Sequence, residues 1–542
     1  MLVDPVVGEK FFGRRDVLAT LEKRIYALKG GYRQNIAITG HRLTGKSSIL
    51  NHFLYSFKDD EILPIYMEVL PEPFRQFATK FIGILLYSYL KYNDREARDN
   101  LEYLITESEK DIPKTVGCIK GILKDIQLDK TENAYSELLN LTSSFKNETR
   151  RSCVVILDEF HNLSRIGIRD PFKGFGKKIM TQKDTLYIVA SSEVTSIKKI
   201  LSEKLALLFG NFEKITLGGF DCKTSEAFLR MKLSGINIDK KLLDFIIAFA
   251  DGHPFYLDVL SGKIKELSAQ RQSGEVDISV VVSTLEELLF DSRGTLNQFF
   301  INLLQELTDS KIENCKETLI GIAHNLHKQK DLSKWTGYNM KETSGHLKIL
   351  VEKNLIYPSG NIYRFYDKVL RFWLQRVYHK RRTTLVDNIP EKASHFRKEV
   401  GDLIRCFFEE SAMDLPVRIK NLLESFKNEV VNIDTRNHRL TRFADIETIE
   451  GRGKKYLACH LKDKITLVYY SKGRISENDV LDFISYSIKY KPILNRRILI
   501  ALDEIDINAK IMAKEIKMWI WDIDSLNELL DIYGRQRIVR ID

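Results

Sequence analysis

The sequence predicts an α/β protein whose first domain is built on a mostly parallel sheet. Three observations support this class. An apolar strand runs into a glycine-containing loop at 40–47, a second apolar strand ends in two acids at 158–159, and apolar strands alternate with amphipathic helices from 12 to about 220. The strands that this pattern predicts are 35–39, 63–69, 153–158, 185–191 and 213–217.

The first loop has the spacing G-x-x-x-x-G-K-S, with a helix-like run at 48–54 after it. Its two glycines let the backbone wrap closely round an anion, and the loop amides and the helix N-terminus point at phosphates. Lys46 can reach the β- and γ-phosphates, and the Ser47 hydroxyl can ligate Mg²⁺. The residues predicted to bind ATP with Mg²⁺ are Gly40, His41, Arg42, Leu43, Thr44, Gly45, Lys46, Ser47 and Ser48.

The second apolar strand delivers Asp158 and Glu159 to its carboxyl end. Asp158 is predicted to hold Mg²⁺ together with Ser47, and Glu159 to orient or deprotonate the attacking water. The next strand ends in Ser191 and Ser192, and either hydroxyl fits a group that senses the γ-phosphate or the water. The pattern therefore predicts an ATPase. Its catalytic residues are predicted to be Glu159, Lys46, Ser191 and Ser192.

Length and composition set the class of protein. The 542 residues suffice for two to four domains, and 44% hydrophobic with 29% charged residues is typical of a soluble globular chain. No apolar run approaches the ~20 residues of a membrane span. The six cysteines are scattered without metal-site spacing, so we expect reduced thiols in a cytoplasmic protein. The net charge of +10 favours nucleic acid or an anionic membrane as a partner, although a lysine-rich host composition gives the same charge. Of these partners we expect DNA and no membrane.

Further motifs flank the sheet domain. Phe12-Gly13-Arg14-Arg15 resembles the F-G-R box of archaeal AAA+ and STAND-type P-loop ATPases, a family similar to archaeal origin-recognition initiators. Gly252-His253-Pro254 resembles the G-x-P motif of their helical lid, and 207–217 resembles the segment before that lid. The resemblance covers residues 8–375. It implies ATP hydrolysis, a lid that responds to nucleotide, and either oligomers or a nucleotide-dependent switch.

One position departs from this family. Many relatives carry an arginine finger candidate where this chain has Asn211. Without that charge, stabilisation of the transition state is weaker. The resemblance then implies slow hydrolysis, or a cation supplied by Lys214 or by a partner.

Beyond the lid, 317–328, 331–337 and 340–355 are predicted as helices, and 356–364 as a hairpin. Three helices followed by a hairpin are the order of a winged helix. The polar side of the third helix carries Lys341, Thr343, Ser344, His346 and Lys348. Two interpretations stay open: this helix contacts DNA, or the module contacts protein, as it does in STAND-type ATPases.

Residues 394–542 resemble the restriction-endonuclease-like domain that is often appended to archaeal ATPases. The resemblance implies a one-metal nuclease site formed by Glu399, Asp445, His460 and Lys462, in which Asp445 lies on the first strand and Lys462 ends the second. His460 stands where a carboxylate is expected, and a neutral histidine is a poor Mg²⁺ ligand. The site is therefore predicted to be degenerate unless Glu447 or Glu399 compensates. A basic cluster suited to phosphates comprises Arg436, His438, Arg439, Arg442, Arg452, Lys454 and Lys455.

The predicted fold class is α/β throughout: a P-loop parallel-sheet ATPase domain with a helical lid, a winged-helix domain, and a C-terminal mixed α/β nuclease-like domain. The predicted boundaries are 8–220 for the ATPase domain, 221–290 for an all-helical lid, 291–378 for the winged helix, 379–393 for a linker and 394–542 for the nuclease-like domain.

Three functions remain open from the sequence. The first is an ATP-dependent switch that acts on DNA or a DNA-bound partner. The second is an ATP-gated, metal-dependent nuclease, which requires Asp445 and Lys462 to act together despite His460. The third is a non-hydrolysing scaffold that binds ATP as a structural ligand and contacts protein partners.

Overall fold

The computed structural model describes residues 4–205, 210–272, 274–305, 314–383, 388–433, 436–451 and 453–539. The chain forms two compact units. The first runs through Phe220 and includes His253–Phe255, and the second comprises Asp221–Gly252 and the chain from Tyr256 onward. Three earlier predictions fall partly outside the described residues: 207–209 of the segment before the lid, 384–387 of the linker, and Arg452 of the basic cluster.

The first unit contains five strands: β1 (Asn35–Gly40), β2 (Ile62–Glu68), β3 (Ser152–Asp158), β4 (Thr185–Ser191) and β5 (Phe212–Leu217). They form one parallel sheet in the order β2-β3-β4-β1-β5. Each predicted strand agrees with the observed one to within one residue at either end. The predicted α/β class and parallel sheet are therefore confirmed.

Eight helices of this unit surround the sheet: α1 (Arg15–Lys29), α2 (Lys46–Ser56), α3 (Phe74–Tyr92), α4 (Leu101–Glu109), α5 (Pro113–Gln127), α6 (Thr131–Thr149), α7 (Pro171–Thr181) and α8 (Val194–Lys199). One hydrophobic cluster contains α1 and α2 residues, and a larger one contains residues of α3 to α7. Because every residue of β1, β3 and β4 is buried, the carboxyl ends of these strands are fixed from both faces.

The second unit begins with α9 (Cys222–Lys232), α10 (Lys240–Ala250), α11 (Pro254–Gln270), α12 (Ile278–Leu285) and α13 (Thr295–Gln305). The prediction that 221–290 is wholly helical is wrong at two places. Short strands β6 (Asn237–Ile238) and β7 (Glu275–Val276) pair in parallel. Each strand lies just before an aspartate that caps the next helix, Asp239 or Asp277, and a capping residue requires extended backbone before the first turn.

The next segment contains α14 (Cys315–Ala323), α15 (Gln329–Thr336), α16 (Met340–Glu352), β8 (Ile356–Ser359), β9 (Ile362–Phe365), α17 (Lys368–Trp373) and α18 (His379–Thr383). β8 and β9 pair antiparallel as a hairpin. The order of elements agrees with the predicted helices and hairpin, although each helix ends earlier than predicted. Its assignment as a winged helix stays a prediction.

The hairpin tip is bonded to a strand of the C-terminal region. The Asn361 amide donates to the Val430 carbonyl at 2.9 Å, and the Val430 amide donates to Asn361 Oδ1 at 2.9 Å. Gly360 has φ +64°, and a side chain at this position would collide with the Val430 carbonyl. The tip is thus occupied by an intramolecular contact.

The C-terminal region contains α19 (Ile389–Ala412), α20 (Leu415–Glu424), β10 (Glu429–Ile433), β11 (Arg436–Leu440), β12 (Asp445–Gly451), β13 (Lys454–His460), β14 (Ile465–Ser471), α21 (Glu477–Ser487), β15 (Leu494–Ala501), α22 (Ile507–Glu515), β16 (Trp519–Trp521) and α23 (Ile523–Ile532). β12 to β16 form a five-stranded mixed sheet in sequence order, and β10 pairs with β11. Strands β10, β11 and β14 were not predicted.

Two predictions about this region need correction. The proposed linker 379–393 is helical in its described residues, because Asn388 caps α19 and Pro390 occupies its first turn, both strong signals for a helix start. The second strand of this region, predicted to end at Lys462, ends at His460, so Lys462 lies beyond it, exposed in the turn to β14.

Candidate functional site

The loop after β1 closes tightly at the carboxyl edge of the sheet, where ligands bind in open α/β folds. Leu43 has φ 61° and Gly45 has φ 95°, so the chain turns sharply before α2 begins at Lys46. A Cβ on Gly40 would lie 2.6 Å from the Leu217 carbonyl oxygen. The loop therefore requires glycine at 40 for close backbone approach, and it presents the α2 N-terminus to an anion.

Lys46 is buried in the floor of this loop. Its Nζ donates to the carbonyl oxygens of Gly40 at 2.9 Å and His41 at 2.7 Å. Burial lowers the pKa of Lys46, and the charges of Glu159 and Asp158 partly oppose that shift. Within the described part of the chain, no carboxylate lies within ion-pair distance of Nζ. A buried ammonium bonded only to carbonyls suits the phosphates of a nucleotide.

Asp158 ends β3 beside Ser47 at the start of α2. The Ser47 hydroxyl donates to Asp158 Oδ2 at 2.6 Å, and the Tyr66 hydroxyl donates to the same oxygen at 3.1 Å. Burial, followed by the charge of Asp158, raises the pKa of Tyr66 well above its usual range, so Tyr66 stays a donor. The two oxygens of Ser47 and Asp158 are hard ligands of the kind that Mg²⁺ prefers, and these residues fit the predicted ion.

Glu159 follows in a left-handed conformation, with φ 48°. Its Oε2 accepts hydrogen bonds from the Ser192 amide at 3.0 Å and the Ser192 hydroxyl at 2.7 Å. His161 Nδ1 lies 3.3 Å from the same oxygen. Three polar groups thus fix the carboxylate at the carboxyl end of β3, and β4 lies between β3 and the strand that leads into the loop of Lys46.

Ser191 has a different partner from Ser192. Its hydroxyl lies 3.0 Å from His161 Nδ1 and accepts from the Glu193 amide at 3.2 Å. Burial lowers the pKa of His161, which favours the neutral ring. The sequence could not separate the two serines. In the structure, Ser192 donates hydrogen bonds to Glu159, whereas the Ser191 hydroxyl contacts His161.

The remaining residues predicted to bind ATP lie around the same loop. Arg42 contributes its carbonyl, 3.2 Å from His253 Nε2, and the Thr44 hydroxyl donates to the His41 carbonyl at 2.9 Å. Burial, together with the nearby charge of Lys46, lowers the pKa of His41 to about 4. The Ser48 hydroxyl accepts from the Val6 amide at 3.1 Å, so this hydroxyl holds the N-terminal segment on α2.

Four residues at this site were absent from the predicted set: Tyr66, His161, Arg14 and His253. Arg14 donates to the carbonyls of Gly218 and Gly219, just after β5. The F-G-R and G-x-P motifs had marked Arg14 and His253 without assigning them a role. No sequence signal marked Tyr66. His161 stands two residues after Glu159, and a histidine so close to paired acids was the one available signal.

Asn211, at the position of the missing arginine finger, and Lys214, its possible substitute, are both exposed. Asn211 is exposed immediately before β5, and Lys214 is exposed on β5, the edge strand of the sheet. An exposed edge is accessible to a partner, so the source of any arginine finger stays a prediction.

The nuclease-like residues are only partly assembled. Asp445 pairs directly with His460 across β12 and β13, and His460 Nε2 lies 2.9 Å from Glu447 Oε1. Glu399 lies on α19 and pairs instead with Arg376 at 2.6 Å and Lys380 at 2.7 Å. Burial alone would raise the pKa of Glu399, but the hydrogen bonds and charges of Lys380 and Arg376 outweigh burial and lower that pKa. Glu399 is therefore committed to α17–α19 contacts, and metal-dependent cleavage stays a prediction.

Two further features are absent from the described residues. Three or more His, Cys, Asp or Glu side chains do not come together there in a way that could hold a metal ion. Among the helices that the structure describes, none has both the length and the apolar character needed to cross a bilayer.

The chain resembles several solved structures at low sequence identity. No curated protein matches the chain. Similar solved structures include a Walker-type ATPase of Pyrococcus abyssi, with 17% identity and TM-score 0.48, covering 69% of this chain and 99% of the other. The ORC2 protein of Aeropyrum pernix has 12% identity and TM-score 0.42, covering 75% and 98%. The ORC1 protein of Aeropyrum pernix in complex with DNA has 11% identity and TM-score 0.38, covering 68% and 93%. Residues 10–166, which carry the loop and the paired acids, match the AAA ATPase domain family.

Proposed function

We propose that this chain binds Mg-ATP, hydrolyses it, and acts as a nucleotide-dependent switch on DNA or on a DNA-bound partner. The observation that carries the ATPase part is the convergence of three groups at one sheet edge. Lys46 lies in the loop floor, Ser47 is bonded to Asp158 at 2.6 Å, and Glu159 is held by Ser192. The match of this segment to the AAA ATPase domain supports the same conclusion.

Each residue has a role that follows from its position. Lys46 and the loop amides neutralise the phosphates and orient them. Ser47 and Asp158 would hold Mg²⁺, which supplies further charge neutralisation on the phosphate oxygens when bound. Glu159 accepts a proton from the attacking water at a carboxylate oxygen. The two donors of Ser192 fix that carboxylate in place.

Replacing Ser192 with alanine is expected to lower kcat by about tenfold, since a hydrogen bond to a charged group is worth roughly 1.5–3 kcal/mol and the low end of that range applies while the Ser192 amide donor remains. Ser191→Ala is the matched comparison and should have the smaller effect, because its hydroxyl contacts His161 rather than Glu159. Steady-state phosphate release measures both. A larger loss in Ser191→Ala would show that Ser191 is the group on which turnover depends.

The DNA part of the proposal rests on charge and exposure in α16. Lys341, Ser344 and Lys348 are exposed on one side of this helix, whereas Thr343 is buried and His346 lies 3.2 Å from the Thr318 hydroxyl. The exposed set is therefore smaller than the five residues predicted. We expect Lys341 and Lys348 to contact phosphates, with the hairpin tip excluded by its bonds to β10.

The test measures phosphate release from Mg-ATP with and without duplex DNA, with Lys46→Ala as the blank, and DNA affinity at several salt concentrations. DNA should stimulate turnover of the wild type. Removing both lysines in Lys341→Ala/Lys348→Ala should reduce the slope of log affinity against log salt by about 2, since each phosphate contact contributes about 0.9.

A control with the same loss of charge removes two exposed lysines, four residues apart, from another helix: Lys510→Ala/Lys514→Ala on α22. An equal loss of slope in the control would mean that net charge, and not α16, governs DNA binding. A rate of ATP turnover that is unchanged by DNA would indicate a protein partner instead.

A further inference from the structure

A cavity of about 360 Å³ opens on the C-terminal mixed sheet. Its volume is within the range of small-molecule sites. The floor is apolar and almost fully buried, formed by Phe426, Leu440 and Ile498. The rim is polar and includes Arg439 and Asn495, both exposed.

This cavity lies on the opposite face of the sheet from the nuclease-like residues. Side chains alternate along a strand, so Asp445 and Glu447 of β12 point away from Ile446, which lies between them. Ile446 belongs to the same hydrophobic cluster as Phe426 and Ile498 of the cavity floor. A ligand in the cavity is therefore separated by the sheet from Asp445.

Arg496 gives the cavity a fixed positive charge. Its guanidinium lies 4.0 Å from the centre of the Trp519 ring, and the His438 ring stacks on Trp519 at 4.2 Å. Trp519 therefore forms a wall of the cavity, and the Arg496 guanidinium packs against it. Burial lowers the pKa of Arg496, and burial and the charge of Arg496 together lower the pKa of His438 to about 4.

Among the residues that the structure describes, the charge on Arg496 has no counter-ion. Over the described ranges, no carboxylate pairs with Arg496 or Arg439, and no acidic residue lines the cavity. A partly buried guanidinium without a counter-ion costs free energy that a bound anion would recover. Arginine is the side chain best suited to phosphate, because its planar fork can bond two oxygens at once.

Polar groups also reach below the rim. Thr466 is buried, and its hydroxyl oxygen accepts from Asn495 Nδ2 at 3.2 Å, which leaves the hydroxyl proton available to a ligand. Thr441 lines the same side. An acyl chain would strip water from these groups without replacing their hydrogen bonds, which is unfavourable. A planar ring with polar edges would satisfy them.

We infer that this cavity binds a nucleotide, with the base between the apolar floor and Thr466 and the phosphate on Arg496 and Arg439. Two ligands present a base together with a phosphate in this way: a free mononucleotide, and the phosphorylated end of a nucleic-acid strand. The inference does not depend on the proposed ATPase, because none of these residues belongs to the P-loop unit.

The experiment uses the full chain with Lys46→Ala, so that the P-loop does not contribute binding. AMP is titrated calorimetrically, and a short 5′-phosphorylated oligothymidylate is titrated by fluorescence anisotropy. Arg496→Ala should raise the Kd of the ligand that binds by at least tenfold, and Arg496→Lys by less. The matched control is Arg497→Ala, on the opposite face of β15 and bonded to the Ser487 hydroxyl at 2.6 Å, which should change Kd by less than twofold.

The possible outcomes distinguish the two ligand sources from each other and from failure of the inference. Arg496-dependent binding of AMP alone identifies a free nucleotide, and Arg496-dependent binding of the oligonucleotide alone identifies a strand end. The inference is overturned if neither probe binds, if Arg496→Ala and Arg439→Ala leave binding intact in chains with unchanged melting temperature, or if octanoate competes as well as AMP. Thr466→Val should weaken AMP and leave competition by inorganic phosphate unchanged, since it alters only the base contact.

Discussion

Glu159→Gln is expected to lower kcat for ATP hydrolysis by about 10²–10³ while ATP affinity stays within about twofold. The amide keeps the volume of the carboxylate and can still accept from the two Ser192 donors, which lie 3.0 and 2.7 Å from Oε2. It cannot take a proton from water, and general-base catalysis contributes roughly 10²–10⁴ in rate. Binding depends on the loop and Lys46, which the substitution does not touch.

The measurement is single-turnover hydrolysis together with equilibrium binding of ATP. Glu68→Gln is the matched control, because Glu68 ends β2 directly beside Asp158 and has a pKa raised by burial and by the neighbouring acids. This control should keep kcat within about threefold. Unchanged turnover in Glu159→Gln would support the third function left open by the sequence, in which ATP is a structural ligand.

The P-loop half of the chain could be predicted closely from sequence for a physical reason. Its central strands are buried on both faces, so they are continuous apolar runs whose ends are marked by glycine, acids or serines. The side chains that act at the strand ends follow in the chain by one or two residues. A contact between residues far apart in the sequence leaves no local sequence signal. The hydrogen bond from Tyr66 to Asp158 was therefore not predicted.

The C-terminal region was less predictable because its strands are exposed or ambiguous. In β11 only His438 and Leu440 are buried, so the sequence Arg436–Leu440 is mainly polar. β14 is a short apolar run, and such a run cannot be assigned to strand or helix by periodicity alone. The stretch at 388–390 was interpreted by its polar, proline-containing composition as a linker, although the same residues cap and begin a helix.

Asp531→Asn is expected to destabilise the second unit by about 3 kcal/mol or more. Asp531 on α23 is nearly buried and accepts from Lys368 at 2.6 Å and from Arg537 Nη2 at 2.7 Å. Arg537 also pairs with Asp251 at the end of α10. Removing one partner from a buried ion pair costs roughly 3–5 kcal/mol, because the remaining charges stay buried without compensation.

This network joins three parts of the chain that the sequence divided into separate domains. Asp251 belongs to the predicted lid, Lys368 to the predicted winged helix, and Asp531 to the C-terminal region. Loss of Asp531 should therefore lower the unfolding midpoint of all three together. The P-loop unit should keep its own midpoint, which ATP raises by binding only the folded state.

Denaturant unfolding monitored by tryptophan fluorescence measures the effect, with ATP protection as the marker of the first unit. Asp402→Asn is the matched control: this residue pairs with Arg405 on exposed α19, and both side chains are more than half exposed. Surface pairs of this kind contribute about 0–1 kcal/mol. A loss in Asp531→Asn no larger than that in Asp402→Asn would show that the network adds no net stability.

The same substitution has a predicted pH dependence. Burial alone would raise the pKa of Asp531, but attraction to Lys368 and Arg537 outweighs burial and holds it well below its usual range. A depressed carboxyl pKa adds stability above the unfolded value of about 3.9, and that stability is lost as pH falls toward the folded value. The difference in unfolding free energy between wild type and Asp531→Asn should thus be constant from about pH 8 to pH 6 and shrink below about pH 5. A difference that persists unchanged at about pH 3 would assign the effect to lost packing rather than to the charge of Asp531.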